Sequence, residues 1–186
     1  VRTRMLGPTA YPVEQAVVLE EMGRALFCAP YFSSAVVATN VILHAGTDAV
    51  KQKLLPGMAA GEIRAAAAFA ERSWDQGLRQ PETSAIAIGD SWLITGHKTL
   101  VLDGAAARLL LVTASTRDGL SVFAVDADAP GVRRSPLAVL DLTRKQADVS
   151  FTDTPARLIS VDKGAGPGLE RAANLILTAL AAEQVG

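Results

Sequence analysis

The feature that most narrows the fold is a change of pattern at Gly61. Before it, apolar residues recur at the spacing of amphipathic helices. After it, short apolar runs are cut by Gly, Asp and Pro, as strands joined by tight turns require. From Leu169 to Val185 helical spacing returns. Segregated helices and strands predict an α+β chain with a compact antiparallel sheet, not the parallel sheet that alternating strands and helices build.

The first helix is expected from Pro12 to Leu26. Pro12 can open a helix without losing a needed hydrogen bond, and Val13, Val17, Met22 and Leu26 mark an apolar face opposite Glu14, Glu20, Glu21 and Arg24. A second helix, Ser34 to His44, has a polar start suited to capping and a stop at Gly46. A third, Asp48 to Leu55, is expected to break at Pro56-Gly57. Strand candidates follow at Ile63 to Phe69, Ser84 to Ile88, Ser91 to Thr95, Arg108 to Thr113, Leu120 to Val125 and Ala147 to Phe151. Ala65 to Ala68 is the weakest of these, since alanine prefers helix. Gly89-Asp90 and Arg117-Asp118-Gly119 read as turns. The last helix is apolar around much of its circumference, so it expects partners on several sides.

Composition excludes several function classes. At 186 residues with 49% apolar content the chain carries core material, which argues against whole-chain disorder. The 18 Lys plus Arg are balanced by 19 Asp plus Glu, so no large positive field draws the chain to nucleic acid or an anionic membrane. Cys28 is the single cysteine, and the two histidines, His44 and His97, lie in different predicted elements. Neither an internal disulfide, a compact zinc ligand set nor an acid/base pair follows from them. No run approaches the roughly 20 apolar residues of a membrane span, and the opening residues lack the apolar run of a secretory signal. A cytoplasmic setting fits these features. The first residue is Val, so residues upstream are expected.

Several segments, in order, resemble the acyl-CoA dehydrogenase family. They are Glu20-Glu21-Met22-Gly23-Arg24; the stretch from His44-Ala45-Gly46-Thr47-Asp48 through Leu54-Leu55-Pro56-Gly57 to Gly61-Glu62; and Ile94-Thr95-Gly96-His97-Lys98, which resembles the family's Gly-x-Lys turn. Pro130-Gly131-Val132, Asp141-Leu142-Thr143-Arg144 with Val149-Ser150-Phe151, and Ala181-Ala182-Glu183-Gln184-Val185-Gly186 continue the series. The resemblance implies part of an N-terminal helical domain over 1–61, a middle β-domain, sandwich or barrel-like, over 62–160, and the start of a C-terminal helical bundle over 161–186.

It also implies FAD, an acyl-CoA thioester as substrate, electron-transfer flavoprotein as acceptor, and a homo- or hetero-oligomer. The family's first flavin landmark falls on Ala68-Phe69-Ala70-Glu71-Arg72-Ser73-Trp74-Asp75-Gln76. Ala70 stands where the family has Thr, and Gln76 where a pyrophosphate-facing Ser is expected. The backbone N–H groups of Phe69 and Ala70 survive such a replacement as donors. The second landmark, Trp-Ile-Thr, falls on Leu100, Val101 and Leu102, which offer apolar contact without aromatic stacking or a hydroxyl. The expected cofactor-binding set is therefore Phe69, Ala70, Gln76, Leu100 and Leu102.

Other polar residues are expected to serve architecture. Lys98 reads as a turn or packing determinant, Trp92 as a core or strand-face residue, Glu71 as an organiser of its local turn, and Asp141 with Arg144 as an ion pair or as organisers of the turn before the final strand. Glu183 does not match the family's catalytic carboxylate, so no base is assigned. The leading expectation is FAD-dependent α,β-dehydrogenation of an acyl-CoA by the intact parent protein. The replaced flavin-facing side chains point to an alternative, a noncatalytic or regulatory subunit of a heteromeric dehydrogenase; an acyl-CoA oxidase is a further alternative.

Overall fold

A computed structural model describes residues 11–73, 80–89, 91–160 and 165–186. Helix α1 (Tyr11–Arg24), a π-helical segment (Phe32–Ala38), α2 (Thr39–Ala45) and α3 (Asp48–Ala59) precede seven strands, and α4 (Gly166–Val185) follows them. The strands are β1 (Ala65–Ala68), β2 (Ser84–Ile88), β3 (Ser91–Leu102), β4 (Leu109–Thr116), β5 (Gly119–Asp126), β6 (Val132–Pro136) and β7 (Gln146–Leu158).

The sheet closes on itself. β4 pairs with β2, β2 with β3, β3 with β7, β7 with β5, and β5 returns to β4; β1 adds to β4 and β6 to β7. Most pairs are antiparallel, as expected, but β1 and β2 both run parallel to β4, the latter only through Ser84 and Ser115. Closure leaves few unpaired strand edges. The Ala65–Ala68 strand forms despite alanine's helical preference because the segment is enclosed on both faces and its small side chains fit there.

Strand periodicity sorts the core into two layers. Leu110 and Val112 of β4, with Phe123 and Val125 of β5, point into the barrel beside Ile94, Val149 and Phe151. Their neighbours Leu109, Leu111, Val122 and Ala124 face outward onto Val41, Ile42, Leu54 and Leu169 of the helices. Trp92 packs against the inner layer, its ring centroid 5.2 Å from that of Phe123 at 58°, the core role expected of it.

Five expectations are corrected. In α1, Leu19 is fully buried and forms the packed face with half-buried Met22, whereas Val13 and Val17 are 67% and 60% exposed and Leu26 lies beyond the helix. The reason is α4: Gly23 meets it so closely that a Cβ there would sit 2.0 Å from the Glu183 carbonyl oxygen, and that crossing fixes which face is covered. The second helix begins earlier, as a π-helical turn, and its serines do not cap it. Ser34 Oγ instead accepts from the Ala65 N–H at 3.1 Å and Ser33 Oγ donates to Asp103 at 2.7 Å, so both tie the helix to the barrel. α3 runs through Pro56 to Ala59, because burial of Leu54 and packing of Met58 and Ile63 outweigh the one hydrogen bond that proline removes. Strands β3 and β7 are longer than expected, and β6 was absent from the expectation: its exposed, arginine-bearing sequence carries no clean alternation. Finally, Gly96-His97-Lys98 is not a turn but the middle of β3.

Candidate functional site

Two bulges give β3 its form. Between Ile94–Thr154 and Gly96–Phe151 the extra residue lies on β7; between Lys98–Val149 and Val101–Ala147 it lies on β3. The second bulge switches which residues face inward. Lys98 is fully buried before it and Val101 after it, so Leu100 and Leu102 leave the barrel interior. Leu100 sits at the switch with φ +54°, a left-handed conformation uncommon for a side chain of this kind. Gly96 lets β3 pass the returning segment at Thr83: a Cβ there would lie 2.6 Å from Thr83 Cα.

Beyond β1, Phe69 and Ala70 run beside this bulge. The Thr99 N–H donates to the Ala70 carbonyl at 2.9 Å, and Lys98 Nζ donates to the Phe69 carbonyl at 3.3 Å. Lys98 Nζ also donates to Glu71 Oε1 at 2.7 Å and to Thr113 Oγ1 at 3.1 Å. Three acceptors match the three donors of an ammonium group, which is how a lysine at 0% exposure is accommodated.

The Glu71 side chain is 8% exposed and accepts further hydrogen bonds from the backbone N–H groups of Glu82 at 2.5 Å and Thr83 at 3.0 Å. Burial works to raise its pKa, but the hydrogen bonds from Lys98 and from the Glu82 and Thr83 amides outweigh this and hold it down at about 2. Burial lowers the Lys98 pKa, opposed by the Glu71 carboxylate. Glu71 thus organises the local turn, as expected. Its reach is wider than that turn, since it joins the residue after Ala70 to the segment returning into β2. The Ser115 hydroxyl fastens the same segment by donating to the Pro81 carbonyl at 2.6 Å.

The five expected cofactor residues fall as follows. Phe69 and Ala70 lie together beside Thr99. Leu100 is next to them in β3 and 46% exposed. Leu102 is half-buried against the seam formed by Leu19, Phe32, Val36 and Ala179. Gln76 lies outside the described residues. Of the two expectations for Asp141 and Arg144, the ion pair does not form and the turn does: the Arg144 N–H donates to the Asp141 carbonyl at 3.2 Å. The Asp141 carboxylate accepts from the Thr143 N–H and hydroxyl, and Arg144 pairs with Glu183 while its guanidinium carbon lies 4.9 Å over the Phe32 ring. That pair locks the turn before β7 to α4 and the π-helical segment, and it engages the Glu183 carboxylate.

Residues missed at the sequence level are Thr113, Glu82 and Thr83, and the Thr99 amide. Their only signal is a lysine in an otherwise poorly charged strand, and its partners are set by pairing across 15 to 27 positions.

An edge of this kind fits a flat apolar ring by contact. Leu100 supplies an exposed apolar surface, and Phe69 and Ala70 supply backbone, with both carbonyls turned toward β3. At Ala70, Leu100 and Leu102 no side chain supplies a hydroxyl or an aromatic face. Among the described residues no group of three or more His, Cys, Asp or Glu is placed to hold a metal, and no helix is long and apolar enough to cross a membrane.

The description "Acyl-CoA dehydrogenase, N-terminal domain" matches residues 3–62, and "Acyl-CoA dehydrogenase, middle domain" matches residues 66–154. The chain is 31% identical over 140 residues to (2S)-methylsuccinyl-CoA dehydrogenase of Cereibacter sphaeroides, covering 72% of this chain and 25% of that protein. A solved variant of the Tcur3481-Tcur3483 steroid ACAD is 32% identical with a TM-score of 0.79, covering 93% of this chain and 45% of that one. A glutaryl-CoA dehydrogenase from Mycobacterium smegmatis, solved in complex with FADH2, shares the fold at a TM-score of 0.81 and 20% identity, over 92% of this chain and 46% of its own. The chain therefore spans under half the length of each of these proteins.

Proposed function

We propose that this chain, which belongs to the acyl-CoA dehydrogenase family, forms one wall of the flavin site in a protein that carries out FAD-dependent α,β-dehydrogenation of an acyl-CoA thioester. Bound FAD supplies the acceptor for the hydride that leaves the β-carbon. The chain's own residues bind and orient. Phe69 and Ala70 present backbone N–H groups, and Leu100 offers an apolar surface. Lys98 and Glu71 fix the backbone that carries them. Gln76, Leu102 and electron-transfer flavoprotein as acceptor belong to the same reading, as does assembly into an oligomer.

The observation that supports the reading is the contact between the two segments: the Thr99 N–H donates to the Ala70 carbonyl at 2.9 Å, which sets Phe69 and Ala70 beside the strand position that carries Leu100. Glu71 and Glu183 are both engaged in ion pairs, and no base for removal of the α-proton is assigned within this chain. The test is made on the full-length protein: flavin absorbance after purification, then anaerobic addition of an acyl-CoA panel. Bleaching of the flavin supports the reading. Tight acyl-CoA binding without bleaching contradicts its catalytic part, and direct peroxide production under oxygen reassigns it to an oxidase.

A second reading is favoured by the side chains at Ala70, Leu100 and Leu102, which leave the edge without the polar and aromatic contacts the family pattern supplies. In it the chain belongs to a noncatalytic subunit of a heteromeric dehydrogenase. Purification alone with full flavin content and turnover rejects it.

A further inference from the structure

An outgoing leg after β1, residues 69–73, and a returning leg before β2, residues 80–83, meet on one carboxylate. Glu71 lies on the outgoing leg and accepts from the Glu82 and Thr83 N–H groups of the returning leg. Ser73 adds a hydroxyl bond to the Glu82 carboxylate. The Glu71 carboxylate is itself held by Lys98, whose other two bonds go to the Phe69 carbonyl and to Thr113 on β4. One ammonium group thus joins the end of β1, the bulged strand β3, strand β4 and, through Glu71, the returning leg.

Packing alone does not require a charge at that position. A buried ion pair is commonly replaceable by apolar groups of similar volume at little cost to stability, whereas no apolar side chain can accept from two converging amides. The pair's distinct contribution is therefore direction: it fixes how the backbone at Phe69 and Ala70 is turned relative to the Leu100 surface.

We propose that Lys98 and Glu71 are positioning residues, a buried clamp that ties the leg after β1 to the leg before β2 and sets the orientation of the Phe69–Ala70 backbone toward a bound flavin. The clamp stands on the geometry of this chain, and its role toward flavin rests on the function proposed above.

The deciding variant is Glu71→Met combined with Lys98→Met in the full-length protein, which removes both charges and leaves neither unpaired. Lys98→Arg, which keeps the cation, and Thr113→Val, which removes one acceptor and leaves the ion pair, accompany it. Two quantities are measured: amide hydrogen exchange at Glu82, Thr83 and Thr99 in flavin-free protein, and FAD affinity with the shape of the bound-flavin absorption band.

The expected result is a double variant that still unfolds cooperatively, at a lower temperature because two amides lose their acceptor, with exchange at Glu82 and Thr83 faster by roughly tenfold or more. Its FAD affinity falls by a similar factor and the band shape changes. Thr113→Val and Lys98→Arg stay closer to wild type in both measurements. Unchanged exchange in a folded double variant overturns the clamp. Faster exchange with unchanged FAD affinity and band overturns the positioning role. If the double variant does not fold, exchange in Glu71→Gln, which removes the charge and keeps an acceptor, decides: exchange at Glu82 and Thr83 no faster than in Thr113→Val overturns a role specific to the ion pair. Wild-type protein that takes up no FAD contradicts the proposed function, and exchange at Glu82 and Thr83 still decides the clamp.

Discussion

The two halves of β3 make opposite use of the same strand. Gly96 to Lys98 lies against the returning segment at Thr83 and ends in a fully buried cation with three partners. Leu100 to Leu102 follows a bulge, turns Leu100 outward, and carries no polar side chain. The first half carries a cation that fixes backbone and the second only apolar side chains, so backbone architecture and side-chain chemistry are separable within a few positions of one strand.

The sharpest way to break this contrast is to remove the cation alone. Lys98→Met leaves the Glu71 carboxylate buried against two amides with its counter-charge gone, and is expected to destabilise the protein by about 3–5 kcal/mol in denaturant titration. A loss below about 1 kcal/mol, the range of an exposed pair, places Lys98 in the same structural class as a surface lysine.

Acid provides the next largest effect. The folded pKa of Glu71 is lowered from 4.5 to about 2, so its contribution to stability is fully present above 4.5 and is lost as pH falls through the folded value. Denaturant midpoints taken downward through this window should fall more steeply for wild type than for Glu71→Gln. Parallel profiles contradict the assignment.

Gly96→Ala tests the close pass at Thr83. Its Cβ would meet the Thr83 backbone at 2.6 Å, and the expected cost is about 1–3 kcal/mol in the same titration. Leu100→Trp, on the exposed side of the bulge, should change stability by no more than about 0.5 kcal/mol. It should tighten FAD binding by several-fold, as an added aromatic contact of about 0.5–1.5 kcal/mol implies, measured by flavin titration. A loss of affinity would show that the bulge does not face the ring.

The sequence carried the order of helices, strands and helix because each period is set locally. β4 and β5 were legible from their apolar runs, and the Arg117-Asp118-Gly119 turn between them is where the hairpin reverses. Helix faces were less legible. In α1 the exposed Val13 and Val17 look as core-seeking as buried Leu19, and only the crossing at Gly23 separates them. At the candidate site, Phe69, Ala70 and Leu100 are named through resemblance. The Lys98–Glu71–Thr113 network is not, because its members come together from 15 to 27 positions apart and no local composition announces that pairing.

The most direct measurement is an experimental structure of the full-length protein with FAD bound. The account places the flavin ring in van der Waals contact, within about 4.5 Å, with Leu100, its edge toward the Phe69 and Ala70 amides and the Glu71–Lys98 bridge intact beneath. A ring bound elsewhere, or a bridge broken in the loaded protein, contradicts it.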